Sequence, residues 1–518
     1  MAPRNLESLR TATQVLVAVF GLTTALYVFD LANTPVYFGG DEAHFAVGAH
    51  ALATTGRNTN GDLLPVFVSL ADPLGGKQQA WGDTWYQPLL FYIAAVFVKV
   101  LPFNETVMRL PMALVGGLLT PLMLFAVARR FIGHSLPALV AALIVALSPT
   151  HVVLSRQALD YVLPLPFLLG WLWCLHAFRE SRQSKYLTAA GLLLGVGCYS
   201  YIASWALMPV FLVVTWIVAA AASREVSWRQ MAPSAVAFAF PVSIGILWVL
   251  AHPEMLEQTV TRYGVTEGPK QGPISTYLSL LHPNVLFVRG GPSLVTSTSR
   301  SGFVLLPVTV FLAAGAVALW RRRDWMAAVI VTGLLVAPVP AAFKGEPAMI
   351  QRAMYLLPFL ALLGGFGCAW LWQQSRLTRA AAILALVAAP LQFGYFYFDY
   401  FTHYKFRSAF YYDPAAFRDV ATHLMSRANA PAFYFTTDVD DTTVKWRYYT
   451  TVQGRTELLA RTHYIEPNDR PVNAAPGSAL VTYDLTDRLA GLAAGGWYVE
   501  QLVHDVDNRP AAVILRKR

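Results

Sequence analysis

Asp41 and Glu42 stand side by side in VYFGGDEAHFAVGAHALATTG, just past the first long apolar run of a 518-residue chain. Gly39-Gly40 makes a helix-starting turn. A carboxylate in the first turn is favoured by the helix dipole, so an acidic cap is the plain reading of this pair. The chemical reading is a base at a membrane surface. His44 shares a helix face with Asp41 at i, i+3 spacing, and the surrounding loop is long and rich in Gly, Trp and Tyr. A second acid, Asp160, lies in SPTHVVLSRQALDYVLPLPF at the mouth of another apolar run, beside Arg156 and Tyr161. Arg156 and Asp160 are four apart and could form a local ion pair. Charged groups at membrane mouths are otherwise costly and often mark sites. Two acids in separate loops, both expected on the outer face, make a stronger case for a site than either alone.

Composition sets what must position these residues. Hydrophobic residues make up 56% of the chain and charged residues 13%, against about a quarter charged in soluble proteins. Apolar runs near the ~20 residues that cross a bilayer recur throughout. Spans are expected near 13–32, 107–128, 135–151, 161–178, 187–203, 205–222, 232–251, 302–320, 325–342, 350–372 and 378–397, about eleven in all. The first run lacks a small-residue cleavage site and reads as a retained span. The net charge of +9 does not point to nucleic acid, because the basic residues cluster in short connections. Arg129-Arg130, then Arg179, Arg182 and Lys185, then Arg224 and Arg229, then Arg321 to Arg323, then Arg376 and Arg379 alternate along the chain. With Arg4 and Arg10 they place the N-terminus inside and the tail outside.

This alternation requires the short apolar stretch 87–100 to be an interfacial or re-entrant helix. The first outer loop then runs over 33–106 and holds two surface helices, one starting at Asp41 and one near Pro88. The membrane module covers 1–397. From 398 to 518 the composition turns polar, with strand-like runs PAFYFTT, SALVTYDL, GWYVEQLV and AAVILRK after a helical stretch near 414–426. The fold class expected is an all-α polytopic membrane protein with a small outer α/β domain. Cys174, Cys198 and Cys368 fall within apolar runs without metal-binding spacing.

DEAHF on the first outer loop, RLPMALVGG in the next span and SRQALDY at the second acid resemble the GT-C superfamily of membrane glycosyltransferases. Within it they resemble the group of protein O-mannosyltransferases and lipid A aminoarabinose transferases. The resemblance covers roughly residues 10–370. It implies sugar transfer from a polyprenyl-phosphate-linked donor to a glycan, lipid or protein acceptor at the outer face of a bacterial cytoplasmic membrane. By this resemblance Asp41 is the general base of an inverting displacement, Glu42 orients Asp41 or the acceptor, and Asp160 shapes the site. The departing lipid phosphate needs positive charge nearby. Candidates are Arg156, Arg262 with Tyr263, Lys270, Lys344 and Arg352, with interfacial snorkelling as the alternative reading of each. Arg109 resembles a recurring family arginine or anchors its helix. His44, Tyr86 and Gln87 are the acceptor-side candidates. Gln87 stands where aminoarabinose transferases carry a lysine, which favours a neutral sugar. No metal ligand set is evident, and a divalent cation is left open. The competing readings are a transporter or flippase of lipid-linked sugars, for which internal repeats and midplane charges are expected, and an O-antigen ligase or polymerase.

Overall fold

A computed structural model describes residues 6–70, 85–222, 228–262, 271–483 and 488–518. Among them, seven helices are long and apolar enough to cross a membrane: Glu105–Ile132, Asp160–Ser181, Ser204–Ala221, Arg229–Ala251, Trp325–Lys344, Leu356–Gln373 and Arg376–Tyr412. An eighth crossing results if Ser135–Ala146 and Pro149–Ser155, bent by 58°, are taken together. The chain is a multi-pass membrane protein. The eleven runs expected from hydropathy thus resolve into fewer full-length helices. Local chain breaks are the reason. The apolar part of the first helix, Thr13–Val28, gives way to a turn in which Asp30 takes a left-handed φ of 52°. Ser184–Gly197 (14 residues) follows a left-handed Arg182, and Val308–Arg322 (15 residues) starts directly after Pro307.

Burial separates these helices by role. The window of Asp160–Ser181 is 78% buried inside the protein, while that of Arg229–Ala251 is only 17% buried and turns Val236, Phe240, Leu247 and Leu250 outward. The second acid therefore opens a central helix, and the apolar flank of Arg229–Ala251 is suited to lipid. Helix pairs close through small residues, as expected where lipid competes equally for apolar side chains. A Cβ on Gly315 would overlap the Leu363 carbonyl, and one on Gly367 would overlap that of Phe311, so two helices meet backbone to backbone.

The first loop holds its two helices where expected, at Gly40–Thr55 and Pro88–Val100. Pro88 sits at the first helical position, where its missing N–H costs nothing. The helices pack through Phe45 and Phe91, with ring centroids 4.6 Å apart. A Cβ on Gly48 would run into the Phe91 ring, which explains the glycine.

The last membrane helix, Arg376–Asp399, continues through a π-helical turn at Tyr400–Tyr404 into Lys405–Tyr412. The composition change at 398 thus falls inside one continuous rod. Beyond it lie the helix Phe417–Ser426 and a five-stranded sheet in the order Thr462–Ile465, Phe433–Thr436, Ala479–Thr482, Pro510–Lys517, Trp497–His504. Phe433–Thr436 pairs parallel with both neighbours, and the remaining pairs are antiparallel. Each of the four strand-like runs contains a strand. The fifth, Thr462–Ile465, is a four-residue edge with little burial, so its sequence carries no alternating pattern to read.

This C-terminal unit is fastened to the membrane module. Glu105 accepts hydrogen bonds from Tyr449 Oη at 3.0 Å and from the guanidinium of Arg418. The Val506 amide donates to Tyr37 Oη at 3.1 Å. Burial pushes the Tyr37 phenol well above its ordinary range, so it stays protonated.

Candidate active site

One cavity of about 680 Å³ gathers residues from four distant stretches of the chain: 39–45, 85–87, 157–161 and 344–352, together with 438–445 of the C-terminal unit. Asp41 lines it from the first turn of Gly40–Thr55, with its side chain exposed. Asp160 lines it from a 3₁₀ turn, Asp160–Val162, and is buried to 9% exposure. Asp41 and Asp160, expected together, line the same cavity.

Glu42 has a different place from that of a free acid. It is 1% exposed, and its carboxylate receives four donors. Arg109 grips it with Nε to Oε1 and Nη2 to Oε2, each at 2.8 Å. The Ala158 amide donates to Oε1 at 2.8 Å and the Gly39 amide to Oε2 at 3.0 Å. A carboxylate so saturated is committed as a hydrogen-bond acceptor within the loops that surround it. This placement suits the orienting role expected of Glu42 more than a reacting one. Its link to Ala158, two residues before Asp160, ties the two acidic loops together. Arg109 is fully buried, and its remaining donors reach the carbonyls of Leu31, Pro35 and Tyr37 at 2.8 to 2.9 Å. It anchors the whole approach to Asp41.

The basic candidates divide. Lys344 and Arg352 both line the cavity, from the end of the short helix Val339–Lys344 and from the 3₁₀ turn Ile350–Ala353. Arg156 does not line it. Its side chain is fully buried and donates to the carbonyls of Tyr27 (2.7 Å) and Thr34 (3.0 Å), under the ring of Phe401. A guanidinium held by carbonyls in this way is a clamp on the first loop, and the phosphate-binding expectation for Arg156 is corrected accordingly. Arg262 closes the helix Glu254–Arg262, and Tyr263 and Lys270 lie outside the described residues.

Of the acceptor-side candidates, Tyr86 and Gln87 line the cavity. Gln87 also accepts a hydrogen bond from Trp205 Nε1 at 3.3 Å. His44 is not among the lining residues. It is 3% exposed, with Nε2 at 3.0 Å from Asp441 Oδ1, so its expected contact with an acceptor gives way to one with the C-terminal unit.

Sequence reasoning missed the wall made by Asp438, Asp440, Asp441 and Lys445. A signal was present in the acidic run DVDD before TTVKW, where a polar turn precedes a helix. Burial raises the Asp440 carboxyl above the usual carboxylate range, and the neighbouring Asp441 adds to the rise while Lys445 opposes it. Lys445 Nζ reaches Asp413 at 2.9 Å, both groups buried. Among the described residues, no three His, Cys, Asp or Glu side chains stand where they could hold a metal ion. The three cysteines are buried and free.

Residues 86–248 match the family of dolichyl-phosphate-mannose-protein mannosyltransferases. No curated protein matches the sequence. Among solved structures, ArnT from Cupriavidus metallidurans bound to undecaprenyl phosphate superposes with a TM-score of 0.62 at 16% identity, over 97% of this chain and 98% of that one. Its apo form matches with the same TM-score at 15% identity and the same coverage. The apo oligosaccharyltransferase from Archaeoglobus fulgidus reaches a TM-score of 0.50 at 13% identity, over 89% of this chain and 65% of that one. These likenesses show a fold shared with ArnT, in keeping with the resemblance first seen in DEAHF, RLPMALVGG and SRQALDY.

Proposed function

We propose that this protein is a membrane glycosyltransferase. It moves a sugar from a polyprenyl-phosphate-linked donor to an acceptor at the outer face of a bacterial cytoplasmic membrane, with inversion at the anomeric carbon. The observation that carries this reading is one cavity lined both by the carboxylates Asp41 and Asp160 and by the cations Lys344 and Arg352. The undecaprenyl phosphate bound to ArnT and the dolichyl-phosphate-mannose of the matching family support the class of donor. An N-terminus inside and a C-terminal unit outside complete this reading, supported by the clustering of basic residues in alternate connections.

The chemistry follows from what each group can do. A sugar or lipid hydroxyl is a weak nucleophile. Asp41, exposed at the head of its helix, accepts the hydroxyl proton as the oxygen attacks the anomeric carbon. The bond from that carbon to the phosphate oxygen breaks in the same displacement. The phosphate leaves as an anion and needs no proton donor, only positive charge. Lys344 and Arg352 supply it. Asp160 shapes the sugar side of the cavity, and Tyr86 and Gln87 offer hydrogen-bonding groups to the acceptor.

Asp41→Asn should reduce turnover by at least ~10²-fold, the scale of general-base catalysis. The measurement is release of polyprenyl phosphate by purified protein in nanodiscs. It uses polyprenyl-phosphate-linked mannose, glucose, galactose and arabinose in turn, with a membrane extract as acceptor pool. Near wild-type turnover in both Asp41→Asn and Asp160→Asn would sink the catalytic assignment. Failure of the wild type to consume any donor, with flux of donor across the bilayer, would make it a transporter.

A further inference from the structure

Asp441 belongs to the C-terminal unit, 397 residues from the histidine it touches. Its carboxylate Oδ1 lies 3.0 Å from His44 Nε2. His44 Nδ1 has no hydrogen-bond partner, so among the described residues that contact is the hydrogen bond of a buried imidazole, which also packs against the Tyr86 ring. The same carboxylate rests on the first residue of the helix: a Cβ at Gly40 would overlap it. Asp441 thus meets the Gly40–Thr55 helix at two points, Gly40 and His44, one on either side of Asp41. Only a glycine at 40 admits so close an approach.

Asp441 is itself held in an uncommon conformation. Its backbone lies in the left-handed region, at φ 63° and ψ 10°, a placement that costs energy in a residue with a Cβ. Asp441 stands just before the helix Thr442–Val452, and the Lys445 amide donates to its carbonyl at 2.9 Å. Lys445 in turn reaches Asp413 with its ammonium group. The carboxylate is therefore presented by a fixed helix start.

We propose that Asp441 is a positioning residue for Asp41: the C-terminal unit reaches back across the cavity and sets the first turn of the helix that carries the base. The inference rests on the reading of Asp41 given above. A displacement of about 1 Å at a reacting group lowers turnover by about 10²-fold. Asp441→Ala should therefore lower kcat by that order with little change in KM for the lipid-linked donor. Asp441→Asn retains an oxygen that accepts from His44 Nε2 and should recover most of the loss. A residue that only supports folding would lower the folded fraction and leave kcat per folded molecule unchanged.

The decisive experiment uses full-length protein in nanodiscs, with whichever of the four donor probes the wild type consumes, and normalises rates to folded protein. Gly40→Ala should be inactive, because its methyl group meets the Asp441 carboxylate. Gly40→Ala/Asp441→Gly should rise to the level of Asp441→Gly alone. If Asp441→Ala turns over within about twofold of wild type while Asp41→Asn is dead, the positioning role is overturned and the base assignment stands. If Asp41→Asn is active, the functional reading itself fails. Should Asp441→Ala not fold, the Gly40 variants decide, and a fully active Gly40→Ala overturns the contact.

Discussion

The pair Arg109 and Glu42 shows how a buried charge can serve a site without reacting in it. Each is almost wholly removed from solvent, and between them they bind three carbonyls and two amides of the loops that carry the acids. Removing one partner of such a pair leaves the other charge buried and alone, at a cost of about 3–5 kcal/mol. Arg109→Ala should accordingly unfold the first loop or lower the melting temperature in detergent well beyond any surface variant. A gentler probe is Asp440. Its carboxyl titrates above the ordinary range, so its ionised form weakens the folded state at neutral pH. That penalty fades as pH falls through the raised value and is absent below the unfolded one. Because Asp440 is exposed and its charge is screened by solvent, Asp440→Asn should raise the melting temperature only slightly at neutral pH and lose that advantage near the ordinary carboxylate pKa of about 4. Asp41, Asp160, Lys344 and Arg352 were all legible as site candidates, because a charged residue beside an apolar run needs a reason. The contacts of Glu42 and Arg156 were not. Their partners, at Arg109 and at the carbonyls of Tyr27 and Thr34, lie far off in sequence.

Among the elements, the two loop helices were foreseeable from length and flanks. Pro88 announces a start and Gly39-Gly40 another, while neither apolar stretch is long enough to cross lipid. Span number was less legible, because hydropathy counts apolar residues but not where the helix breaks. The helices that start after Pro307 and after the left-handed Arg182 are shorter than their apolar composition alone suggests. Packing between helices depends on single glycines. Gly367→Val would force side-chain atoms against the Phe311 carbonyl and separate Leu356–Gln373 from Val308–Arg322. A destabilisation of about 1–3 kcal/mol is expected for such overpacking, read as a lower unfolding midpoint in detergent.

For the whole molecule, the C-terminal unit is a part of the cavity and not an appendage to it. Four of its five strands were readable from their apolar runs, but its docking was not. Glu105 meets Arg418 and Tyr449, contacts 313 and 344 residues apart, and no local pattern encodes them. Glu105→Gln should loosen this attachment. Limited proteolysis ought then to cut between Tyr412 and Phe417 faster than in the wild type, with the membrane module left intact. Unchanged cleavage would mean that Tyr37, Val506 and the Asp441 contacts hold the unit by themselves.

The chain order of the cavity has a consequence for biosynthesis. Every membrane helix, both acids and both cations are synthesised before residues 438–445. A nascent chain can therefore insert fully and still lack one wall of its cavity. A chain stopped after Tyr412 should reach the membrane and stay silent, and supplying residues 413–518 as a separate polypeptide tests whether the missing wall can be added afterwards.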